Sequence, residues 1–317
     1  MTIAVADLDA VAARLQRFEE RLDPAHPTVG DEPVEIVGYG EVSTAFALAA
    51  LPGTICKRMA GFRDAGAVTR YVEVVGRYLD ILQRLGVAVA DTQLVPVGTS
   101  VVYLVQPRLP ADGLGHHLLR QGDDATLLAC LDRVLAVIGM LMRNNRTATD
   151  GRTITVDAQL SNWCFTVHDG SVSAPVLLDV GTPYMRLHGI DEVGVEIFLA
   201  PIPPGIRAYY RRRRAVERYL DDYFDTHHIL LDLVGNFYKE GRPDRIPLAV
   251  AHINQWLATD AADLSAARID AAAVERYYKN DAAALELFLK ARRVDRFLRT
   301  RILRQRYNFI LPGPIRR

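Results

Sequence analysis

The feature that most constrains this chain is a change of hydrophobic period along its length: strand-like runs crowd the first third, and helical periods fill the remainder. VEIVGYGEV (34–42), STAFALAA (43–50) and TICKRM (54–59) are short and rich in β-formers, and Leu51-Pro52-Gly53 predicts a tight turn between the last two. Residues 66–85 then carry apolar positions at 68, 71, 72, 75, 78, 79 and 82, a helix ending before Gly86. Two more strand-like runs follow, DTQLVPVG and SVVYLVQPRL. From residue 124 the pattern is helical over 124–143, 206–240, 246–258 and 272–304, interrupted by one β-like island, TITVDAQLSNWCFTV and VSAPVLLDVG. Ahead of all this, Leu8, Val11, Leu15, Phe18 and Leu22 predict an amphipathic helix over 7–22, closed by Pro24 and Pro27. Such an order predicts an α+β chain of two lobes joined near 101–110, with a cleft between them as the natural ligand site.

Composition narrows the class. A chain of 317 residues supports one large domain or two lobes, and 38 Lys+Arg against 38 Asp+Glu argue against a dedicated nucleic-acid binder. Cys56, Cys130 and Cys164 lie far apart, which disfavours a disulfide framework or zinc cage and suits a reducing cytoplasm. The longest apolar run, Val134 to Met142, is nine residues, and the start lacks the basic-then-apolar order of a signal peptide, so a cytoplasmic protein without a membrane partner is expected.

Five local signals carry chemistry. Gly38-Tyr39-Gly40-Glu41-Val42-Ser43 is a glycine-containing turn between strands, where backbone N–H groups can approach phosphate oxygens; taken alone it is also an ordinary hairpin. Lys57 lies in the third strand and Glu73 in the following helix, a cation for phosphates and a carboxylate to steady it. Asp157 and Asn162 stand five apart in a loop, a carboxylate able to accept a hydroxyl proton and an amide able to bind a cation. Asp179 ends the strand Val176-Leu177-Leu178, two residues before Gly181, and suits a hard cation such as Mg²⁺.

In this order the signals resemble the protein-kinase-like superfamily, in its small-molecule branch of aminoglycoside and choline phosphotransferases, over roughly residues 34–190. The resemblance implies a two-lobed kinase-like fold: an N-terminal helical extension over 1–30, a small β-rich N-lobe over 31–108 and a mostly helical C-lobe over 109–317. It implies ATP and Mg²⁺ as cofactors. Gly38, Tyr39, Gly40 and Ser43 would lie over the phosphates, and Lys57 would hold them, steadied by Glu73. Gln106 and Arg108 would belong to the hinge beside adenine; Asp157 would be the catalytic carboxylate, and Asn162 and Asp179 the metal ligands. Thr155 stands where the family usually has His, Ser43 replaces the third glycine, and Val180 replaces the aromatic residue of the metal loop.

No A-P-E motif follows Asp179, which points away from peptide substrates and toward phosphorylation of a hydroxyl on a small molecule such as a sugar, aminocyclitol or nucleoside. Arg186 and Arg207 are candidates for contacting that acceptor. The alternatives are a catalytically silent nucleotide-binding or scaffolding protein on the same fold, and nucleotidyl transfer. The run Arg211–Arg214 reads as a solvated helix face paired with Asp221 and Asp222, and the pairs His116-His117 and His227-His228 as surface histidines, since neighbours on a helix diverge.

Overall fold

The computed structural model describes residues 8–29, 34–40 and 42–313; Glu41 of the glycine turn and the first residue of the helix expected over 7–22 fall outside them. Helix α1 (Leu8–Arg21) buries Val11, Leu15 and Phe18 along one stripe. Strands β1 (Val34–Tyr39), β2 (Ser43–Leu48) and β3 (Thr54–Ala60) form a meander, and α2 (Ala65–Arg84) follows, its first turn capped by the Asp64 carboxylate accepting from the Ala67 N–H at 2.8 Å. The two-residue strand β4 (Ala88–Val89) precedes β5 (Gln93–Val97) and β6 (Val101–Pro107). Five of these strands make one antiparallel sheet in the order β1-β2-β3-β6-β5, which places Lys57 opposite Ala45 on one side and Leu104 on the other.

Alternation along β3 sends Lys57 and Met59 to one face and Cys56, Arg58 and Ala60 to the other. The second face is closed by α1, whose Phe18 meets Phe46 and Tyr103 edge-on, and by a returning C-terminal segment carrying Tyr307, Phe309 and Ile310. Glu19 holds the buried Arg58 guanidinium through two 2.7 Å bonds and also accepts from the Tyr103 hydroxyl. The first face and α2 share a core with the helices that follow.

Beyond β6 come α3 (Gly115–Gln121) and α4 (Asp124–Thr147). By length and composition α4 alone among the described helices is apolar enough to cross a bilayer, more so than the run Val134–Met142 indicated. It buries Leu127, Leu131, Val134, Leu135, Ile138 and Leu141 as the spine of the helical part. The β-like island resolves into short pieces: β7 (Arg152–Ile154), β8 (Trp163–Cys164), β9 (Val167–His168), β10 (Ser171–Val172), β11 (Val176–Leu177), β12 (Met185–Leu187) and β13 (Ile190–Asp191). β11 pairs with β8 and, in parallel, with β4, stitching the island to the segment after α2. Helices α5 (Glu196–Leu199), α6 (Pro204–Arg213), α7 (Ala215–Asp222), α8 (Thr226–Lys239), α9 (Ile246–Thr259) and α10 (Ala271–Phe297) complete the chain. The fold is thus α+β, with a small β-rich N-terminal region and a mostly helical C-terminal part. The helix expected over 206–240 is three helices, broken at Arg214, which adopts φ +48°, and at the cap residue Asp225.

Candidate functional site

The five-stranded sheet and the helical part enclose a cleft of about 290 Å³. Lys57 enters it from β3 and forms an ion pair with Asp179, which emerges just after β11 and lies 122 residues later in sequence. Asp179 also accepts the Gly181 N–H at 3.2 Å. Burial pushes its carboxyl upward, but Lys57 and that N–H outweigh burial and hold it below the usual carboxylate value, so Asp179 is anionic at neutral pH. Gly181 lies close against this pair: a β-carbon there would sit 3.3 Å from the Lys57 ammonium, which would have to give by a few tenths of an ångström. The Tyr71 hydroxyl of α2 donates to the Gly181 carbonyl at 2.7 Å and fixes the turn.

The loop after β7 is held by backbone contacts. Thr155 is buried, its N–H donates to the Tyr184 carbonyl at 2.9 Å, and its own carbonyl accepts from the Tyr78 hydroxyl at 2.7 Å. Asp157 follows, half-buried, accepting the Gln159 N–H at 3.1 Å. Burial first and the charge of Asp232 second push its carboxyl up to about 7, against the opposing pull of that N–H and of Lys239. Asn162 donates its side-chain N–H to the Asp157 carbonyl at 3.3 Å, which leaves the amide oxygen as its free ligand atom. Two neighbouring carboxylates therefore differ in kind: Asp179 stays charged, whereas Asp157 exchanges its proton near neutrality.

Sequence reasoning missed the floor of the cleft. Asp232, Asn236 and Lys239 recur at i, i+4 and i+7 on the otherwise apolar helix α8, and all three meet Gln159. The Gln159 amide donates to Asp232 at 2.8 Å, and its oxygen accepts from Asn236 and Lys239 at 3.2 Å each. Lys239 also stands 3.9 Å from Asp281 of α10. Asn236 is 2% exposed and lines the cleft, yet its side-chain oxygen has no hydrogen-bond partner. Polar residues at helical spacing on an apolar helix were the signal that could have found this network.

Of the residues singled out in the sequence, Tyr39, Gly40, Ser43, Lys57, Asp157, Asn162 and Asp179 line this one cleft. Gly38, Glu73, Gln106 and Arg108 do not. Gly38 faces open space on β1, whereas a β-carbon at Gly40 would lie 2.5 Å from the Ser43 hydroxyl, which would have to rotate away, and the Gly40 N–H is bonded to the Ser43 carbonyl. Glu73 is exposed because α2 turns positions 71, 74, 75 and 78 inward, leaving 73 on the far side; the carboxylate beside Lys57 is Asp179. Gln106 spends its side chain on Thr92 and on the Leu178 carbonyl, both at 2.9 Å. Arg108 lies on the surface, paired with Glu35 of β1.

The two arginines proposed for the acceptor are also engaged elsewhere. Arg186 pairs with Asp191 and Asp221 and lies over the Phe224 ring, and Arg207 bonds the Ala200 and Ile202 carbonyls at 3.1 Å. In the arginine run, Arg211 pairs with Glu196, not with Asp221 or Asp222. Cys56, Cys130 and Cys164 are buried free thiols.

A magnesium–nucleotide site needs oxygen ligands and a phosphate-binding cation, and Mg²⁺ commonly takes only one or two carboxylates besides phosphate and water. Asp179, the Asn162 amide oxygen and Lys57 supply that chemistry in one cleft. Among the described residues no cluster of three or more His, Cys, Asp or Glu side chains forms an all-protein metal cage.

No curated protein sequence matches the chain. Among solved structures, the macrolide 2′-phosphotransferase MphH from Brachybacterium faecium, an apoenzyme, aligns at 17% identity and TM-score 0.26, covering 78% of this chain and 98% of that one. A gentamicin–APH(2″)-IIa complex aligns at 11% identity and TM-score 0.22, covering 78% and 95%. Likeness of this order is loose, and the fold rests on the sheet order and helices described above. A family profile is more extensive: it spans residues 17–296, and the chain belongs to that family, described as a family of unknown function, DUF6206.

Proposed function

We propose that this chain is an ATP- and Mg²⁺-dependent phosphotransferase on a kinase-like fold, acting on the hydroxyl of a small molecule. The observation that carries the reading is the convergence of Lys57, the Asp157–Asn162 loop and Asp179 from three separate stretches onto one cleft. Asp179 and the Asn162 amide oxygen would hold the metal, and Lys57 would move from Asp179 to phosphate oxygens. Bound magnesium nucleotide would supply the transferable phosphoryl group and neutralise charge on its oxygens. Asp157, with its carboxyl raised to about 7, accepts the proton of the attacking hydroxyl; Asn236 and Lys239 offer an acceptor and a donor that orient the acceptor molecule.

One observation favours the silent nucleotide-binding alternative: Lys57 is tied to Asp179 and Glu73 stays in solvent, so the cation and the metal ligand neutralise each other. A single experiment separates the two. Saturating Mg·ATP, at about one hundred times its dissociation constant, should stabilise the chain by roughly 2.7 kcal/mol, an effect absent in Asp179→Ala. Transfer of label from ATP to a desalted metabolite pool would then establish activity. Binding without transfer selects the silent protein, and no thermal shift with parent chain removes the nucleotide reading.

A further inference from the structure

A second, larger concavity of about 500 Å³ opens beside the cleft, between α6, α7 and α10. Its walls are apolar: Leu199, Ile202, Val216 and Phe288 line it, with Phe198 and Leu285. Phe198, Leu285, Tyr219 and Asp281 line the candidate cleft as well, so the two spaces adjoin across these four side chains. At the rim Tyr209 and Leu287 are 58% and 59% exposed, large apolar side chains standing in water beside an apolar groove. The polar walls differ at the two ends. The cleft end carries Asp157, Asp179 and Lys239, whereas the outer end carries Arg213, stacked over the Tyr209 ring, and Arg218.

We propose that the acceptor is an amphiphilic alcohol whose hydroxyl end lies at Asp157 and whose apolar body fills this groove. The inference rests on the phosphotransfer reading and narrows its substrate class. A sugar or aminocyclitol hydrated on every side gains nothing from 500 Å³ of apolar wall, while an aliphatic or aromatic body gains in proportion to the area it removes from water. The outer arginines disfavour a cationic body and suit a neutral or anionic one.

The test uses matched probes: glucose and octyl β-glucoside share a hydroxyl-bearing head and differ in the apolar tail, and anilinonaphthalene sulfonate reports the groove by fluorescence. The parent chain should bind one dye per chain and release it to octyl glucoside below its micelle concentration, but not to glucose. Ala284→Trp adds an indole from an exposed position of α10 that lines the groove, so the fold is not at stake; dye affinity should fall at least ten-fold while the Mg·ATP thermal shift is unchanged. Leu287→Glu, at the rim, should weaken dye binding in the same direction. Equal displacement by glucose and octyl glucoside, or dye binding indifferent to both variants, overturns the proposal. So does a parent dimer that Ala284→Trp converts to monomer, which assigns the groove to a second copy. A parent chain with groove binding and no Mg·ATP shift overturns instead the phosphotransfer reading, leaving a site for amphiphiles.

Discussion

Asp157→Asn should make the protein more stable, and increasingly so as pH rises. In the parent, the native state binds the Asp157 proton with a pKa of about 7, against 3.8 for an ordinary aspartate, because burial and the Asp232 charge disfavour the carboxylate. Between those two values the unfolded chain has released the proton and the native chain still holds it. Native stability therefore falls as pH rises through that window, and the loss is complete above about 7. Each tenfold change in proton affinity is about 1.4 kcal/mol, so the full displacement sets an upper bound of about 4 kcal/mol. Asparagine has no charge to bury, and its side-chain oxygen still accepts the Gln159 N–H that the parent carboxylate accepts at 3.1 Å. Urea unfolding of parent and variant at about pH 4, 6 and 8 measures the difference directly. The variant's advantage should be small and constant at the acid end and grow by up to about 4 kcal/mol toward pH 8, while phosphate transfer is lost throughout. A stability difference flat across that range would refute the placement of Asp157 as a half-buried carboxylate beside a second charge.

The remaining predictions concern two buried hydrogen-bond groups, one behind the sheet and one behind the Asp179 turn. Glu19→Ala leaves the Arg58 guanidinium, 3% exposed, without its two carboxylate bonds, and removes the Tyr103 partner too; the expected loss is about 3–5 kcal/mol in urea unfolding, and a loss below about 1 kcal/mol would show the pair to be dispensable. Tyr71→Phe deletes the donor to the buried Gly181 carbonyl and should cost about 1–3 kcal/mol. It should also weaken Mg·ATP binding through the loosened Asp179 turn, and unchanged calorimetric affinity would contradict that link.

Much of the fold was legible because its periods are strong. The strands β1 to β3 and β5 to β6, and helix α2, stand within a few residues of where β-forming apolar runs and helical spacing place them; β3 and β6 bury both faces, and α2 buries one stripe. The Asp157, Asn162 and Asp179 positions were legible for a different reason: they interrupt apolar runs at loops. Three features were not. The break between α6 and α7 falls on Arg214 in a left-handed conformation, with neither Gly nor Pro to announce it. The Asp225 cap before α8, accepting the His228 N–H at 2.9 Å, sits inside a long apolar pattern that hides the helix start. The C-terminal segment YNFIL returns over 250 residues of sequence to the sheet, where the Asn308 carbonyl accepts from Arg58 at 2.7 Å and the Phe309 ring closes on Gly61; no local period encodes such a contact. Glu73 failed through analogy: its role came from a family pattern, while the stripe 71, 74, 75, 78 already put position 73 on the outside.

That same stripe also explains how the loop is held at Thr155. Tyr71 and Tyr78 lie seven residues, two helical turns, apart, so both hydroxyls project from one face of α2. One bonds the Gly181 carbonyl and the other the Thr155 carbonyl, each at 2.7 Å. A single rigid helix thereby sets the spacing between the turn that carries Asp179 and the loop that carries Asp157. Both tyrosines are fully buried, and burial raises their hydroxyl pKa well above the ordinary value, so they remain neutral donors at any pH where the fold persists. Because their partners are main-chain carbonyls, the register they impose does not depend on which side chain occupies position 155. A threonine can stand there, buried, without releasing the loop.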